Sequence, residues 1–504
     1  TTDSGSSGPY NIIISQGSGA NVTIPNGEVK AVYLDGAGSG AAVVDAFASL
    51  NVGALNTQTA GTDNVRIGAG AGDSITSGGN NNVVIGKNAG TALTTGDASV
   101  GIGREALRDT TTANYNVAVG EQALKLNSTG ANNVAVGRLS LSANTTADDN
   151  TSVGYNSLAS NTTGAGNTAV GQSALSANTT AADNTAVGYQ AAISTTTGAN
   201  NTVIGRKALY TNTTGDNNVA AGFNSMFFNT TGGDNSAFGV NALQANTTGN
   251  YNTAVGRKAL LTATTAERNV AVGVEALNST TTGSYNTAMG YQAAYENTTG
   301  RNTAIGYVSL YNNSTGTNNT ALGDSAMFYN TTSSDNTAVG YASLLDNTTG
   351  TRNVAVGYSA LANNTTATTN VAVGYKAGEG ITTGAYNVVV GAESMMVTMT
   401  GSDNTACGYG TMQVNTSGED NTAMGNRALF DNTTGSYNVA VGRSALANNT
   451  TANNNVAIGF EAGKDVTTGA ANVFIGQRAG ENTTTSSENV AIGFQTMYVG
   501  DSGG

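Results

Sequence analysis

The sequence contains no histidine, no tryptophan, one cysteine and two prolines in 504 residues. Without histidine there is no Ser-His-Asp or Cys-His catalytic arrangement and no histidine-ligated metal. A single cysteine cannot form a disulfide framework, a zinc cluster or an iron–sulfur site. The 68 glycines stay far below the third of the chain that collagen requires. We therefore expect no catalytic residues, no cofactor and no metal site.

Charge and hydropathy exclude further classes of protein. The net charge is −13, which is opposite in sign to the basic surfaces that bind nucleic acid. No apolar run is long enough for a transmembrane helix, and no amphipathic basic segment would hold a membrane surface. The polar stretch Thr1 to Gly8 shows no signal peptide, and the missing initiator methionine suggests a processed or partial chain. We expect no nucleic acid partner and no membrane insertion.

A repeat of 17 residues dominates the chain. Its core string is N-T/V-A-V/I-G, as in Asn116–Gly120, and the full unit reads N-T-A-V-G-Y-x-A-L-x-x-N-T-T-G-x-x. The step between closing glycines is 18 once, from Gly68 to Gly86, and 16 once, from Gly290 to Gly306. Such regularity over about 26 copies indicates a stacked array, not a set of separate domains.

The length of the unit determines its secondary structure. Seventeen residues are too few for a helical hairpin repeat, which takes about 34. The apolar runs have strand length, and Gly and Asn interrupt them as turn residues do. We predict an all-β fold, a parallel β-solenoid (β-roll or β-helix) of about 26 coils. Each coil would hold two short strands, N-T-A-V and Y-x-A-L, with a turn at N-T-T-G.

Three positions of the unit predict the interior. The residue before each glycine is always apolar, and we predict that it forms a buried ladder. This ladder contains Val119, Val136, Val153, Val170 and the single cysteine, Cys407. A small residue and then Leu usually follow three and four positions after the glycine, which predicts a corner plugged by Leu. Asn opens almost every unit, and stacked amides can hydrogen-bond along the axis.

The first 60 residues differ from the repeat, which begins near Asp63. Three segments predict strands and one a short helix: Tyr10–Ser15, Asn21–Pro25 and Glu28–Leu34, then Ala41–Leu50. The loop Asp35–Gly40 lacks the Gly-Lys-Ser/Thr ending of a phosphate-binding loop. We predict a β-rich attachment module over residues 1–60 and a solenoid shaft over residues 61–504. Because such a coil is thin, we expect a homotrimer along a common axis.

The repeat resembles sequences of bacteriophage tail fibres and related virion appendages, including those of cyanophages. The resemblance rests on strings such as NTAVGYQAA (Asn184–Ala192), NTAIGYVSL (Asn302–Leu310) and NVAVGYSAL (Asn353–Leu361), and on the leader Asn21–Phe47. The N-V-A-V-G core is also similar to head repeats of trimeric autotransporter adhesins. The resemblance implies a trimeric fibre that is fixed through its N-terminal module to a baseplate or another anchor, and that could meet host surface glycans.

Two recurrent side chains are candidate surface sites. Tyrosines after the glycine could form an exposed aromatic ladder that stacks on sugars or packs between chains: Tyr155, Tyr189, Tyr291, Tyr307, Tyr341, Tyr358 and Tyr375. The N-T-T turns are glycosylation sequons, which would carry glycans in a eukaryotic host: Asn178, Asn212, Asn246, Asn297, Asn347 and Asn364. The scattered acids, such as Asp183 and Asp234, predict turn formers instead of a paired catalytic site.

The sequence therefore predicts a structural protein of the virion or the extracellular space that is not an enzyme. Its role would be that of a rigid shaft which holds a host-recognition element away from the particle. The alternative is a bacterial or other extracellular adhesin that binds surfaces or glycans along its length. An ice-ordering threonine face is disfavoured because adjacent threonines of a strand point to opposite sides. The glycine–aspartate repeat of calcium-binding solenoids is absent.

Overall fold

The computed structural model describes residues 61–298 and 300–497, together with the backbone of five short strands before residue 61. The regular structure of these residues consists of strands, and none of it is a helix that could span a bilayer. The strands are β1 (Ile12–Ile14), β2 (Val22–Ile24), β3 (Val32–Leu34), β4 (Val43–Asp45), β5 (Leu55–Asn56), β6 (Val65–Ile67), β7 (Val83–Ile85), β8 (Val100–Ile102), β9 (Val117–Val119), β10 (Val134–Val136), β11 (Thr151–Val153), β12 (Thr168–Val170), β13 (Thr185–Val187), β14 (Thr202–Ile204), β15 (Val219–Ala221), β16 (Ser236–Phe238), β17 (Thr253–Val255), β18 (Val270–Val272), β19 (Thr287–Met289), β20 (Thr303–Ile305), β21 (Thr320–Leu322), β22 (Thr337–Val339), β23 (Val354–Val356), β24 (Val371–Val373), β25 (Val388–Val390), β26 (Thr405–Cys407), β27 (Thr422–Met424), β28 (Val439–Val441), β29 (Val456–Ile458), β30 (Val473–Ile475) and β31 (Val490–Ile492).

The chain divides into two compact units, residues 1–146 and 147–504. In the first unit β1 pairs with β2, β3 with β4 and β5 with β6, all antiparallel, and β6 to β10 then pair in parallel. In the second unit β11 to β31 pair in parallel, each with the next. Equivalent residues face each other one repeat apart, as Ala169 faces Ala186. The predicted parallel β-solenoid with a period of about 17 residues is confirmed, with about 25 turns.

Each coil holds one strand, where two were predicted. The residues after the glycine form successive turns, because Ser173 and Leu175 have φ angles of 56° and 49°, following Gly171 at 134°. Left-handed residues at every second position bend the chain too sharply for an extended strand. These turns are still paired between coils. The Ser173 N–H donates to the Tyr155 carbonyl at 2.9 Å, and the Leu175 N–H donates to the Ala191 carbonyl at 3.0 Å.

The closing glycine is required for two reasons. Gly188 has a φ of 140°, which other residues rarely adopt. A Cβ on Gly188 would also lie 2.5 Å from the carbonyl oxygen of Gly205, the equivalent glycine of the next coil. Stacked coils therefore touch backbone to backbone at this corner, and the glycine cannot vary.

The interior of each coil is narrow and is filled mainly by methyl groups and one leucine. In one coil Ala169, Ala174 and Leu175 are fully buried. Where Gly463 and Gly480 stand in the leucine position, Phe474 replaces the usual alanine at the strand centre and is fully buried. A Cβ on Gly480 would collide with the Phe474 ring. The large and small residues have exchanged places, so the filled volume is conserved.

Two columns of asparagine amides run through the interior. In the column of opening asparagines, the Asn184 N–H donates to Asn167 Oδ1 at 3.0 Å, and Asn184 Nδ2 donates to the Gly198 carbonyl at 3.0 Å. In the column of N-T-T asparagines, Asn178 Nδ2 donates to Asn161 Oδ1 at 2.8 Å. The amide ladder predicted from the opening asparagines is present, and a second one accompanies it.

The first 60 residues are described only as strand backbone. Strands β1, β2 and β3 lie within the three segments predicted as strands. The predicted helix Ala41–Leu50 is wrong at Val43–Asp45, which is β4 and pairs with β3. Consecutive β-branched residues favour the strand there. The other residues of the predicted attachment module lie outside the described residues, so the module stays a prediction.

Candidate interaction face

Each three-residue strand has one inward and two outward side chains, because side chains alternate along a strand. Ala169 is fully buried, while Thr168 is half-buried and Val170 is 36% exposed. The same alternation recurs in β11 to β31. We call the outward first and third residues of these 21 strands the strand face.

The predicted buried ladder is wrong by one position. Val119, Val136, Val153 and Cys407 are only partly buried, and Val170 is exposed. The inward position belongs to the preceding residue, most often alanine. The leucines already occupy the narrow interior, which leaves space at the strand centre for a methyl group and not for a valine.

Size variation along the repeat is the sequence signal that distinguishes the two positions. The third strand residue varies widely and includes Phe238, Met289 and Leu322, each more than 40% exposed. The middle residue is nearly always alanine. A close-packed interior tolerates little change in volume, whereas an outward position does. Apolar character alone therefore misidentified the buried position.

The strand face carries no charge. Its first residues are Thr, Val or Ser, and its third residues are Val, Ile, Ala, Phe, Met, Leu or Cys. In the first unit, charged residues lie on the turns after the glycine. Lys125 Nζ lies 3.0 Å from Glu105 Oε2, and this hydrogen bond lowers the pKa of the Glu105 carboxyl. Charge is thus kept off the strands and placed on the turns.

The predicted tyrosines lie at the surface, directly after the turn glycine and beside the strand face. All seven are at least 40% exposed: Tyr155, Tyr189, Tyr291, Tyr307, Tyr341, Tyr358 and Tyr375. Neighbouring rings stack where successive coils carry them. The ring centroids of Tyr341 and Tyr358 are 5.0 Å apart, and those of Tyr358 and Tyr375 are 5.3 Å apart. The ladder continues the apolar surface around the corner of the coil.

The sequon asparagines are inside the solenoid, so the predicted glycosylation sites are incompatible with the fold. All six are fully buried: Asn178, Asn212, Asn246, Asn297, Asn347 and Asn364. Their amide nitrogens face the interior, as Asn246 Nδ2 shows by donating to Asn229 Oδ1 at 2.7 Å. A glycan on this nitrogen would need to pass through the coil wall.

The recurrent aspartates occupy turn positions. Asp183 and Asp234 are exposed and have φ angles of 57° and 56°, a conformation that Asp adopts more readily than most residues. Among residues 61–298 and 300–497, no group of three or more His, Cys, Asp or Glu side chains is placed to hold a metal ion.

Sequence reasoning missed a second aromatic file, five residues after the glycine. Tyr295, Tyr311 and Phe328 stack with centroid distances of 5.1 Å and 5.2 Å. Three aromatic residues at one phase of three successive coils were the available signal. The file lies about half a coil away from the strand face along the chain.

Comparisons of the chain with protein-family models, with curated proteins and with solved structures found no match.

Proposed function

We propose that this protein is a structural fibre in which three copies of the chain pack side by side through their strand faces. The assembly would form the shaft of a tail fibre or a similar extracellular appendage that holds a recognition element away from the particle. The uncharged, outward apolar strand face supports the packing. The resemblance of the repeat to tail-fibre sequences supports the role as an appendage.

The size of the strand face is the main argument for association. Twenty-one strands at about 4.8 Å spacing, each about 10 Å long, give about 1,000 Å² per chain. Contiguous apolar patches on monomers rarely exceed about 600 Å². A standard interface buries about 800 Å² per partner. The face is therefore large enough for stable association.

The regular spacing of the strands favours parallel, in-register packing of identical copies. Large outward residues such as Phe238 and smaller ones such as Ala221 alternate irregularly along the face. In a parallel symmetric assembly each residue meets its own equivalent, so a single pattern serves all copies.

The single cysteine provides a direct test. Cys407 lies in the third position of β26 and is partly exposed. In a parallel, in-register trimer, copies of Cys407 approach each other, and copper-phenanthroline in air should link them into a covalent dimer. The control is Cys407→Ser combined with Ser417→Cys, which moves the thiol to an exposed turn. That variant should stay uncrosslinked.

Native mass spectrometry gives the stoichiometry. The proposal expects a particle of about 150 kDa, three times the 50.1 kDa chain. Met424→Lys should dissociate it, because lysines of adjacent copies would repel each other in the interface. Thr434→Lys, on an exposed turn, should leave it intact. A monomeric wild-type chain, or equal crosslinking in both cysteine variants, would overturn the proposal.

A further inference from the structure

A cleft lies beside the second aromatic file, on the turns of four successive coils. It has a volume of about 680 Å³, within the range of small-molecule sites. Its lining includes the Tyr329 ring, the carboxylates of Glu296 and Asp346, and the carboxamide of Asn312. Tyr329 packs edge-on against Phe328 with centroids 4.7 Å apart, so the ring is held by the file behind it.

The polar groups of the cleft are mainly hydrogen-bond acceptors. Glu296 and Asp346 take part in none of the ion pairs found among the described residues. No lysine or arginine lines the cleft. Thr331 Oγ1 donates to the Thr348 carbonyl at 3.1 Å, so its proton is already used and its lone pairs remain. The cleft therefore disfavours an anionic ligand and suits one that brings its own donors.

An exposed aromatic face next to carboxylate and amide acceptors matches the chemistry of a neutral sugar. The C–H face of a pyranose packs on an aromatic ring, and its hydroxyls donate strong hydrogen bonds to carboxylates. The direction of the cleft matches a chain of sugars. Glu296 and Asp346 occupy the same position in coils three apart, about 14 Å along the axis at about 4.8 Å per coil. This span fits several linked sugar units.

We infer that the cleft formed by Glu296, Asn312, Tyr329 and Asp346 binds neutral oligosaccharide lying along the solenoid axis. The site belongs to a single chain and does not depend on the proposed packing. It goes beyond the role of a shaft, because it would give the fibre affinity for glycan at a point along its length. An adhesive role, the alternative expected from the sequence, would gain a defined site.

The test is isothermal titration calorimetry of the full chain with cellohexaose and maltohexaose. Chitosan and polygalacturonate oligomers serve as cationic and anionic probes. We expect one of the neutral hexamers to bind and Tyr329→Ala to weaken it about tenfold, which is the upper range for one aromatic contact. Phe228→Ala is the matched control. Phe228 occupies the same coil position, is exposed and packs edge-on against Phe227, but lies outside the cleft.

Other outcomes would overturn the inference. They are no binding of either neutral hexamer, equal loss with Tyr329→Ala and Phe228→Ala, or binding of the charged oligomers alone. Native mass spectrometry of the same samples separates this question from the packing. A trimer that binds no sugar refutes the cleft alone, and a monomer that binds refutes the trimer alone.

Discussion

Asn269 lies near the middle of the column of opening asparagines and provides the sharpest test of the interior. Its Nδ2 donates to Asn252 Oδ1 at 3.2 Å and to the Gly283 carbonyl at 2.9 Å. Its Oδ1 accepts from the backbone N–H of Asn286 at 2.9 Å and from Asn286 Nδ2 at 3.1 Å. Asn269→Ala removes all four hydrogen bonds and leaves buried partners behind.

The expected cost is about 4 kcal/mol, since a hydrogen bond contributes about 1 kcal/mol net and buried unpaired groups cost more. In a stacked array each coil is supported by its neighbours, so the loss should concentrate in the adjacent coils. Hydrogen–deuterium exchange should therefore accelerate by roughly a thousandfold across residues 252–286, at 1.4 kcal/mol per tenfold. Distant coils should change little.

Asn363→Ala is the control, because Asn363 is exposed on a turn. It should leave exchange unchanged throughout the chain. If Asn269→Ala altered protection by less than about tenfold, the amide column would not stabilise the solenoid as argued. If protection fell equally in every coil, the array would unfold as one unit and the neighbour argument would fail.

Three further perturbations test other parts of the fold. Gly239→Ala places a Cβ 2.6 Å from the Gly256 carbonyl oxygen, and should prevent folding of the adjacent coils, whereas Gly233→Ala, with 3.1 Å to its nearest atom, should be tolerated; circular dichroism and solubility distinguish them. Leu260→Ala empties the single large core position of its coil and should cost about 2–5 kcal/mol, measured by denaturant titration. Burial raises the pKa of the Asp346 carboxyl, so the folded state binds this proton more tightly than the unfolded state and stability falls as pH rises through that pKa; Asp346→Asn should remove this dependence and raise the melting temperature at neutral pH, and an unchanged pH profile would contradict it.

The sequence predicted what repeats and missed what alternates. The 17-residue period established the solenoid, its parallel register and the stacked amides, because each follows from identical residues recurring at one spacing. The second strand was wrong because apolar pattern does not report φ, and Leu175 adopts a left-handed conformation that its residue type disfavours. Stacking imposes that conformation through the hydrogen bond from Leu175 to Ala191 in the next coil.

The candidate sites were harder to predict. The exposed position of Val170 and the burial of Asn178 both reverse the usual preference of their residue types. A solenoid one leucine wide has no room for valine at the strand centre, and an amide can be buried when another amide pairs with it one coil away. The cleft beside Tyr329 depends on the differing residues of four coils, and a consensus unit averages such differences away.

The backbone contact between successive glycines, as at Gly188 and Gly205, makes every coil interchangeable with its neighbours. Unequal recombination between near-identical gene segments would add or remove whole coils without disturbing the cross-section. Each event would change the length by one strand spacing, about 4.8 Å. Reach would thus be inherited in discrete steps, and selection could adjust the distance spanned by the protein without redesigning any part of it.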